Sequence, residues 1–198
     1  MAVKVVLASN NQGKLIELKS LLQPLGWEVQ PQGEFGVSDA DETGSTFVEN
    51  ALIKARHACA AINAPAIADD SGIVVPALKG APGIYSARYA GVHGDDDANN
   101  AKLIKDMVAE ADRRAYFFCA MVFLKHADDP VPVIATAAWH GVLTDEPAGE
   151  NGFGYDPYFY VPKHECTSAQ LPSEVKNSLS HRGQATRLLI EQIKALQD

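Results

Sequence analysis

Cysteine and long apolar runs are both scarce in this sequence, and each absence narrows the range of functions. The 198 residues include three cysteines, Cys59, Cys119 and Cys166, which are far apart and form no Cys-x-x-Cys pair. They predict neither a disulfide framework nor a zinc site. No apolar stretch is long enough to span a bilayer, and the first residues lack the features of a secretory signal peptide. We therefore expect a protein of the reducing cytoplasm.

Positive charge is scarce as well. The sequence has 17 lysines and arginines against 25 aspartates and glutamates, which gives a formal net charge of −8 at pH 7. Broad surfaces for nucleic acid or for anionic membranes need clustered positive charge, so we expect neither partner. The balance still allows a small phosphorylated ligand, because one metal ion and a few lysines can hold such a ligand locally.

The order of the predicted elements favours an α/β fold. The chain shows no internal repeat, low-complexity linker or clear domain boundary, so residues 1–198 are predicted to form a single domain of two closely joined lobes. Strand and helix patterns alternate at first, and two strand-like segments then follow one another, which predicts a mixed sheet. The clearest patterns are strands at Val3–Ala8, Trp27–Gln30, Tyr116–Leu124 and Val131–Leu143, a helix with Leu15, Leu18, Leu22 and Leu25 on one face, a helix over Thr46–Ile62, and a last helix with Ala185, Leu189, Ile193 and Leu196 on one face.

Two adjacent carboxylates, Asp69 and Asp70, follow an apolar run that ends at Ala68. If that run ends a strand, the carboxylates lie at its carboxyl edge, where open α/β sheets place ligands, and Ile73–Val75 forms a further strand. Adjacent strand residues point to opposite sides, so at most one carboxylate can face a cleft directly unless the chain turns. One interpretation is a magnesium site. The other is a solvated turn, since Asp, Ser and Gly are typical turn residues.

A polar loop, Ser9–Lys14, lies between the first strand and the first helix. Backbone amides at a helix N-terminus favour an anion, and Lys14 adds a point charge. The loop matches neither the P-loop nor G-x-G-x-x-G, and an ordinary helix cap explains it equally well. In the helix that begins with a Thr46/Glu49 capping box, Lys54 is either solvated or borders the same pocket as Glu42 and Asp70.

A glycine-rich segment, Gly149–Pro157, places Phe153 between two glycines. Such neighbours leave the ring free to stack on a flat ligand and let the backbone approach that ligand, although a core position is the alternative. The acids Asp95–Asp97 precede a predicted helix and are expected to stabilise its N-terminus. His181 and Arg182 precede the apolar stripe of the last helix, where the simplest interpretation is an exposed basic turn.

Together these motifs resemble the inosine triphosphate pyrophosphatases, a family that hydrolyses non-standard purine nucleoside triphosphates. The resemblance runs from the first strand to the last helix and is closest to the bacterial members. The motifs that carry it are Ser9-Asn10-Asn11-Gln12-Gly13-Lys14, Glu42-Thr43-Gly44, Phe47-Val48-Glu49-Asn50-Ala51, Ala68-Asp69-Asp70-Ser71-Gly72, Ala81-Pro82-Gly83-Ile84-Tyr85-Ser86-Ala87-Arg88-Tyr89, Gly152-Phe153-Gly154-Tyr155-Asp156-Pro157 and Ser180-His181-Arg182-Gly183.

The resemblance implies an elongated mixed central β-sheet flanked by helices, two lobes with a cleft between them, and a homodimer. It implies that ITP, dITP and XTP are cleaved between the α- and β-phosphates, with Mg²⁺, to the monophosphate and pyrophosphate. Asp70 would then be the catalytic base and a magnesium ligand, and Glu42 a second ligand. Contacts with the triphosphate and sugar would come from Ser9, Asn10, Asn11, Gln12, Gly13, Lys14, Lys54, Ser71 and Lys176, and the base pocket would contain Phe153, Gly154, Tyr155, Asp156, His181 and Arg182.

Two chemical expectations follow from these roles. An aspartate is a weak base at neutral pH unless burial or a second carboxylate, here Asp69 or Glu42, raises its pKa, whereas a bound magnesium ion acts in the opposite sense. A donor such as Arg182 would favour the oxygen at position 6 of hypoxanthine and xanthine over the amino group of adenine.

Three other functions remain open at this point. A sensor could hold a purine triphosphate without cleaving it, but such a protein has little need of both Glu42 and Asp70. A pyrophosphatase for pyrimidine or modified nucleotides is a second alternative, and Phe153 with the His181-Arg182 pair favours a purine instead. An interaction scaffold would leave the charged and glycine-rich loops unexplained.

Overall fold

The computed structural model of the chain describes residues 3–23 and 26–196, and these contain a seven-stranded sheet in the order β2-β1-β3-β4-β5-β6-β7. Strand β1 is parallel to β2 and β3, whereas β6 is antiparallel to β5 and β7, so the predicted mixed sheet flanked by helices is confirmed. The strands are β1 Val3–Leu7, β2 Trp27–Pro31, β3 Ala66–Val74, β4 Arg114–Leu124, β5 Val133–Leu143, β6 Phe159–Val161 and β7 Cys166–Thr167. The helices are α1 Gln12–Leu22, α2 Phe47–Ile62, α3 Asp96–Asp106, α4 Ser173–Leu179 and α5 His181–Ala195.

The chain divides into two compact units, each with its own hydrophobic core. The first unit contains Met1–Asp70, Cys119–Ala137 and His181–Asp198, and the second contains Ser71–Phe118 and Ala138–Ser180. In the first core, leucines of α1 and α5 pack against residues of β1 to β5. The leucines include Leu15, Leu18, Leu22 and Leu189, and the strand residues include Ile67, Cys119 and Met121. The second core is built around three aromatic rings, those of Phe117, Trp139 and Phe159. The predicted cleft stays a prediction.

Helix α2 begins as the sequence predicts. Thr46 is the N-cap, and its hydroxyl oxygen accepts a hydrogen bond from the Glu49 backbone N–H at 3.2 Å. The Glu49 carboxylate accepts hydrogen bonds from the Thr46 hydroxyl at 2.9 Å and from the Ser45 N–H at 2.8 Å. These bonds satisfy amides that a helix start leaves unpaired. They therefore fix where α2 begins, and with it the positions of Asn50 and Lys54 along the helix.

The structure corrects the prediction for the segment around Asp69 and Asp70. Strand β3 runs without a break over Ala66–Val74, so the two carboxylates lie inside the strand, and no separate strand covers Ile73–Val75. Asp and Gly are depleted in strands, and Asp, Ser and Gly are typical turn residues, which is why local preference indicated an end or a turn here. The carboxylates nevertheless follow the point where the parallel neighbour stops, since β1 ends at Leu7, opposite Ile67.

The last helix is shorter than its apolar pattern suggests. Helix α5 ends at Ala195, and Leu196 is 58% exposed, so its predicted place in the buried stripe is wrong. Ala185, Leu189 and Ile193 are buried as predicted. In α1 the stripe is confirmed for its first three leucines, while Leu25 lies outside the described residues. Within residues 3–23 and 26–196, no helix combines the length and the apolar character needed to cross a membrane.

Candidate active site

Strand β3 sends its two adjacent carboxylates to different partners. Asp69 contacts Lys14 of α1 and Arg182 of α5, whereas Asp70 contacts Asn50 and Lys54 of α2. The separation follows from the strand itself, in which successive side chains point to opposite faces. Both carboxylates are buried, at 0% and 5% exposure, so the interpretation as a solvated turn is wrong.

Lys54 links the carboxylates of Glu42 and Asp70. Its Nζ lies 2.9 Å from Glu42 Oε1 and 3.1 Å from Asp70 Oδ1. The other oxygen of Asp70, Oδ2, accepts a hydrogen bond from Asn50 Nδ2 at 3.2 Å. Asn50 and Lys54 are one helical turn apart, and α2 therefore holds both oxygens of Asp70. Of the two interpretations of Lys54, the structure supports the one in which it lies beside Glu42 and Asp70.

Asn50 also ties the loop that carries Glu42 to helix α2. Its Oδ1 accepts a hydrogen bond from the Gly44 N–H at 2.9 Å, while its Nδ2 donates to Asp70. A Cβ on Gly44 would lie 2.7 Å from that oxygen, so a side chain there would disrupt the contact. This role of Asn50 was not predicted from the sequence. The signal that could have found it is a polar amide beside the apolar stripe of α2 and one turn before Lys54.

The surroundings of Asp70 change its pKa. Burial is the largest influence and raises it; Lys54 and Lys14 act to lower it, Glu42 adds to the increase, and the net pKa lies above the usual aspartate value. Burial also lowers the pKa of Lys54, but the carboxylates of Asp70, Asp69 and Glu42 outweigh burial and raise it overall. The expectation that burial and a second carboxylate raise the pKa of Asp70 is confirmed for burial and Glu42.

Asp69 is the anionic centre of a second buried cluster. Its Oδ2 lies 3.1 Å from Lys14 Nζ, 3.1 Å from Arg182 Nη2 and 3.3 Å from Arg182 Nε, and Arg182 Nη1 donates to Glu17. Burial alone would raise the pKa of Asp69, but the charges of Lys14 and Arg182 hold it well below the usual range. In the part of the chain that the structure describes, Asp69 Oδ1 has no hydrogen-bond partner.

The structure does not leave His181 and Arg182 on an exposed turn. His181 opens helix α5 at 6% exposure, and Arg182 is 2% exposed with its guanidinium bound by Asp69 and Glu17. The interpretation as an exposed basic turn is therefore wrong. The contact of these two residues with a base stays a prediction.

The loop before α1 contains the helix cap that the sequence allowed. Asn11 is the N-cap, and its Oδ1 accepts a hydrogen bond from the Lys14 N–H at 3.0 Å. Ser9 Oγ accepts one from the Asn11 N–H at 3.2 Å, and Asn10 Nδ2 donates to Asp39 Oδ1 at 3.0 Å. The first turn, from Gln12 through Gly13 to Lys14, carries the amides that a helix start offers to an anion. Phosphate binding by this loop stays a prediction.

In the second unit, Asp156 forms hydrogen bonds with several residues, among them Phe153, which is predicted to contact a base. Its buried carboxylate accepts hydrogen bonds from Lys176 Nζ at 2.6 Å, Ser168 Oγ at 2.7 Å and the Phe153 N–H at 2.9 Å. Gly152 has φ +79°, and a Cβ there would collide with this carboxylate. Lys176 Nζ also lies 5.1 Å from the centroid of the Phe153 ring. Lys176, which the resemblance assigned to the triphosphate and sugar, thus lies with the predicted base residues.

The residues around this group are anchored within the second unit. Tyr155 is buried, and its hydroxyl donates a hydrogen bond to the Ser86 carbonyl at 2.7 Å. Gly154 is bound on both sides of its backbone by side chains of α3. Ser71 is half-buried, and a Cβ on the following Gly72 would collide with Ser86. Phe153 is itself half-buried, so its ring is not a core residue.

Known proteins resemble the chain over nearly its whole length. The profile of the Ham1 family matches residues 5–192. The chain is 50% identical to the dITP/XTP pyrophosphatase of Legionella pneumophila, over 98% of this chain and 97% of that protein. It is 53% identical to the dITP/XTP pyrophosphatase of Bordetella pertussis, over 97% of this chain and 92% of that protein. The solved structure of a HAM1 protein from Coxiella burnetii is 46% identical, with a TM-score of 0.88 over 97% of this chain and 99% of that chain.

The buried pair of Arg182 and Asp69 leads to a prediction about stability. Replacing Arg182 with Met leaves the buried carboxylate of Asp69 without one of its two closest cationic partners, which costs about 3–5 kcal/mol of the free energy of unfolding. Urea unfolding followed by circular dichroism measures this loss. Arg187→Met is the matched control, because Arg187 is on the same helix but exposed, and its change should stay within about 0.5 kcal/mol. Equal losses in the two variants would contradict the importance of the pair.

Proposed function

The chain belongs to the Ham1 family, and we propose that it hydrolyses the non-standard purine nucleotides dITP, ITP and XTP to the monophosphate and pyrophosphate. Such an activity removes these nucleotides from the cellular pool. The observation that carries the proposal is the convergence of the Glu42 and Asp70 carboxylates on Lys54. Carboxylates for a metal next to a cation for phosphate are what phosphate hydrolysis requires. The substrate class is supported by the dITP/XTP pyrophosphatases that are 50% and 53% identical to this chain.

Magnesium is part of this proposal, with Glu42 and Asp70 as its ligands. Glu42 Oε1 and Asp70 Oδ1 both lie within 3.1 Å of Lys54 Nζ, so these oxygens already face a shared cation. Proteins usually hold Mg²⁺ through one or two carboxylates together with substrate phosphates, and this pair fits that pattern. When bound, the ion would supply charge neutralisation at the phosphates and a lower pKa for a coordinated water.

Asp70 is the group that we propose receives a proton from the attacking water. Asn50 and Lys54 fix its two oxygens, and burial raises its pKa in the metal-free protein, whereas magnesium bound there would act in the opposite sense. The water oxygen forms a bond to the α-phosphorus as its proton passes to Asp70. The anhydride bond between the α- and β-phosphates breaks, and pyrophosphate leaves. Lys14 and Lys54 are the cations that stabilise the charge of the departing pyrophosphate, and the amides of residues 9–14 are its proposed phosphate contacts.

For the second unit we propose base recognition by Phe153, Asp156 and Lys176. A base that stacks on the Phe153 ring gains about 1–3 kcal/mol. An ammonium can only donate hydrogen bonds, so Lys176 favours the oxygen at position 6 of hypoxanthine and xanthine over the amino group of adenine. Asp156 Oδ2 accepts a hydrogen bond from that ammonium at 2.6 Å and so holds it near the ring. This reassigns Lys176 from the triphosphate and sugar to the base.

The homodimer and the cytoplasmic location implied by the resemblance belong to the same proposal. The alternative of a sensor that binds without cleaving is disfavoured by the two carboxylates at Lys54, because a protein that only binds has little need of both Glu42 and Asp70. The alternative of a pyrimidine-specific enzyme is disfavoured by the relatives' names, which specify dITP and XTP.

Release of pyrophosphate from a panel of nucleotides tests the activity. We expect fast turnover of ITP, dITP and XTP with magnesium, near-background rates with ATP and dTTP, and loss of all turnover when EDTA removes the ion. GTP is included because guanine also has an oxygen at position 6. Tight ITP binding without turnover would identify a sensor instead. Preference for dTTP would show that Phe153, Asp156 and Lys176 do not recognise a purine base.

Replacement of Asp70 by Asn tests the catalytic assignment. The amide keeps the size of the side chain but cannot accept the proton, so kcat for dITP should fall at least about 100-fold with little change in KM. Steady-state kinetics at saturating magnesium provides the measurement. Asp128→Asn, at an exposed position, is the control and should keep wild-type kinetics. A near-normal kcat in the Asp70 variant would refute its role.

A further inference from the structure

We infer that helix α3 fixes the base-stacking ring of Phe153 through two positioning residues, Asp96 and Asn100. The inference rests on the proposed function, since it concerns how the base-binding group of the second unit is held in shape. Neither residue belongs to the motifs that carried the family resemblance. Both lie in the first half of a helix whose acidic start was expected only to stabilise the helix itself.

The side chains of Asp96 and Asn100 form hydrogen bonds with the two backbone polar groups of one residue, Gly154. Asp96 Oδ2 accepts a hydrogen bond from the Gly154 N–H at 2.7 Å, and Asn100 Nδ2 donates one to the Gly154 carbonyl at 2.9 Å. Positions four apart on a helix lie on the same face, which lets one helix supply both contacts. Gly154 has φ +62°, a conformation that residues with a side chain rarely adopt, so glycine suits this turn. We call the two hydrogen bonds from Asp96 and Asn100 to the Gly154 backbone the clamp.

The clamp completes a set of backbone contacts around the ring. The Phe153 N–H is bound by Asp156 at 2.9 Å, and the next residue is bound by Asp96 and Asn100. The main chain on both sides of the Phe153 Cα is thus fixed by side chains. Since Lys176 Nζ lies 5.1 Å from the ring centroid, any shift of this backbone changes the distance between the stacking surface and the proposed donor.

The composition of α3 shows that these side chains are not needed for the helix itself. Asp95 is the N-cap and accepts a hydrogen bond from the Ala98 N–H at 3.0 Å, so capping does not depend on Asp96. Asn100 is buried at 8% exposure inside the helix, where asparagine is a poor helix former. The preceding Asn99 is buried too and binds the backbone of Ala87 and Ala90. Helix α3 therefore contains two asparagines, Asn99 and Asn100, that are unfavourable for the helix itself but bind backbone groups of neighbouring segments.

A free Gly154 backbone should weaken binding of the base without altering the chemistry. A typical hydrogen bond contributes about 0.5–1.5 kcal/mol, so Asp96→Ala should raise KM for dITP about 3- to 10-fold and leave kcat within about twofold. Asp96→Asn keeps an oxygen that accepts the hydrogen bond and should restore KM to near the wild-type value. Asp97→Ala removes the same charge from an exposed position in the same turn and should leave KM unchanged.

Hydrogen exchange gives a readout that does not depend on activity. In nitrogen-15 NMR spectra of the full chain, the Gly154 amide should lose protection at least about fivefold in Asp96→Ala, and keep it in Asp97→Ala and Asp96→Asn. If the wild-type protein hydrolyses none of the nucleotides, the proposed function fails, whereas the exchange data still test the clamp. Unchanged protection in Asp96→Ala would overturn the inference. So would lost protection with an unchanged KM, because the clamp would then have no influence on the base.

Discussion

The first unit depends on the burial of two neighbouring carboxylates on one strand. An ionised carboxylate removed from water costs several kcal/mol unless cations and hydrogen-bond donors compensate for the lost hydration. Asp69 obtains that compensation from Lys14 and Arg182, and Asp70 obtains it from Lys54 and Asn50. These partners come from three different helices, α1, α5 and α2. The need to neutralise the two charges therefore fixes where each of these helices contacts β3.

The same arrangement gives the two aspartates opposite protonation behaviour. Lys14 and Arg182 hold the pKa of Asp69 low, so this residue stays charged and acts as an anchor. Burial raises the pKa of Asp70, and the opposing influence of its lysines is not sufficient to cancel that increase. Pairs of acidic groups whose surroundings separate their pKa values are typical of sites with acid–base chemistry. Alternation along a strand is sufficient to produce the pair, because it exposes adjacent residues to different surroundings.

Local sequence signals predicted the parts of the fold that depend on local contacts. The capping box of α2 and the leucine stripe of α1 involve residues three or four positions apart, and both are confirmed. The prediction for β3 was wrong because several of its residues favour turns, and pairing with a neighbouring strand overrides that preference. The partners of Asp156 and Asp69 lie 20 and 113 residues away, at Lys176 and Arg182. No periodicity of a single sequence contains such pairings, and this is why the contact between Lys176 and Asp156 was not predicted.

The two units fix their functional groups by different forces, and the difference follows from what each group has to do. The proposed proton acceptor, Asp70, needs a defined charge, and its pKa is set by burial first and then by the charges of Lys54, Lys14 and Glu42. The proposed stacking ring, Phe153, has no charge to control, and only its position matters. Phe153 is accordingly held through its main chain, by directional hydrogen bonds between side chains and backbone groups. Hydrogen bonds depend steeply on distance and angle, whereas charge interactions decline slowly with distance. Short directional contacts are therefore the better means of setting the shape of a pocket, and burial combined with nearby charges the better means of setting a pKa.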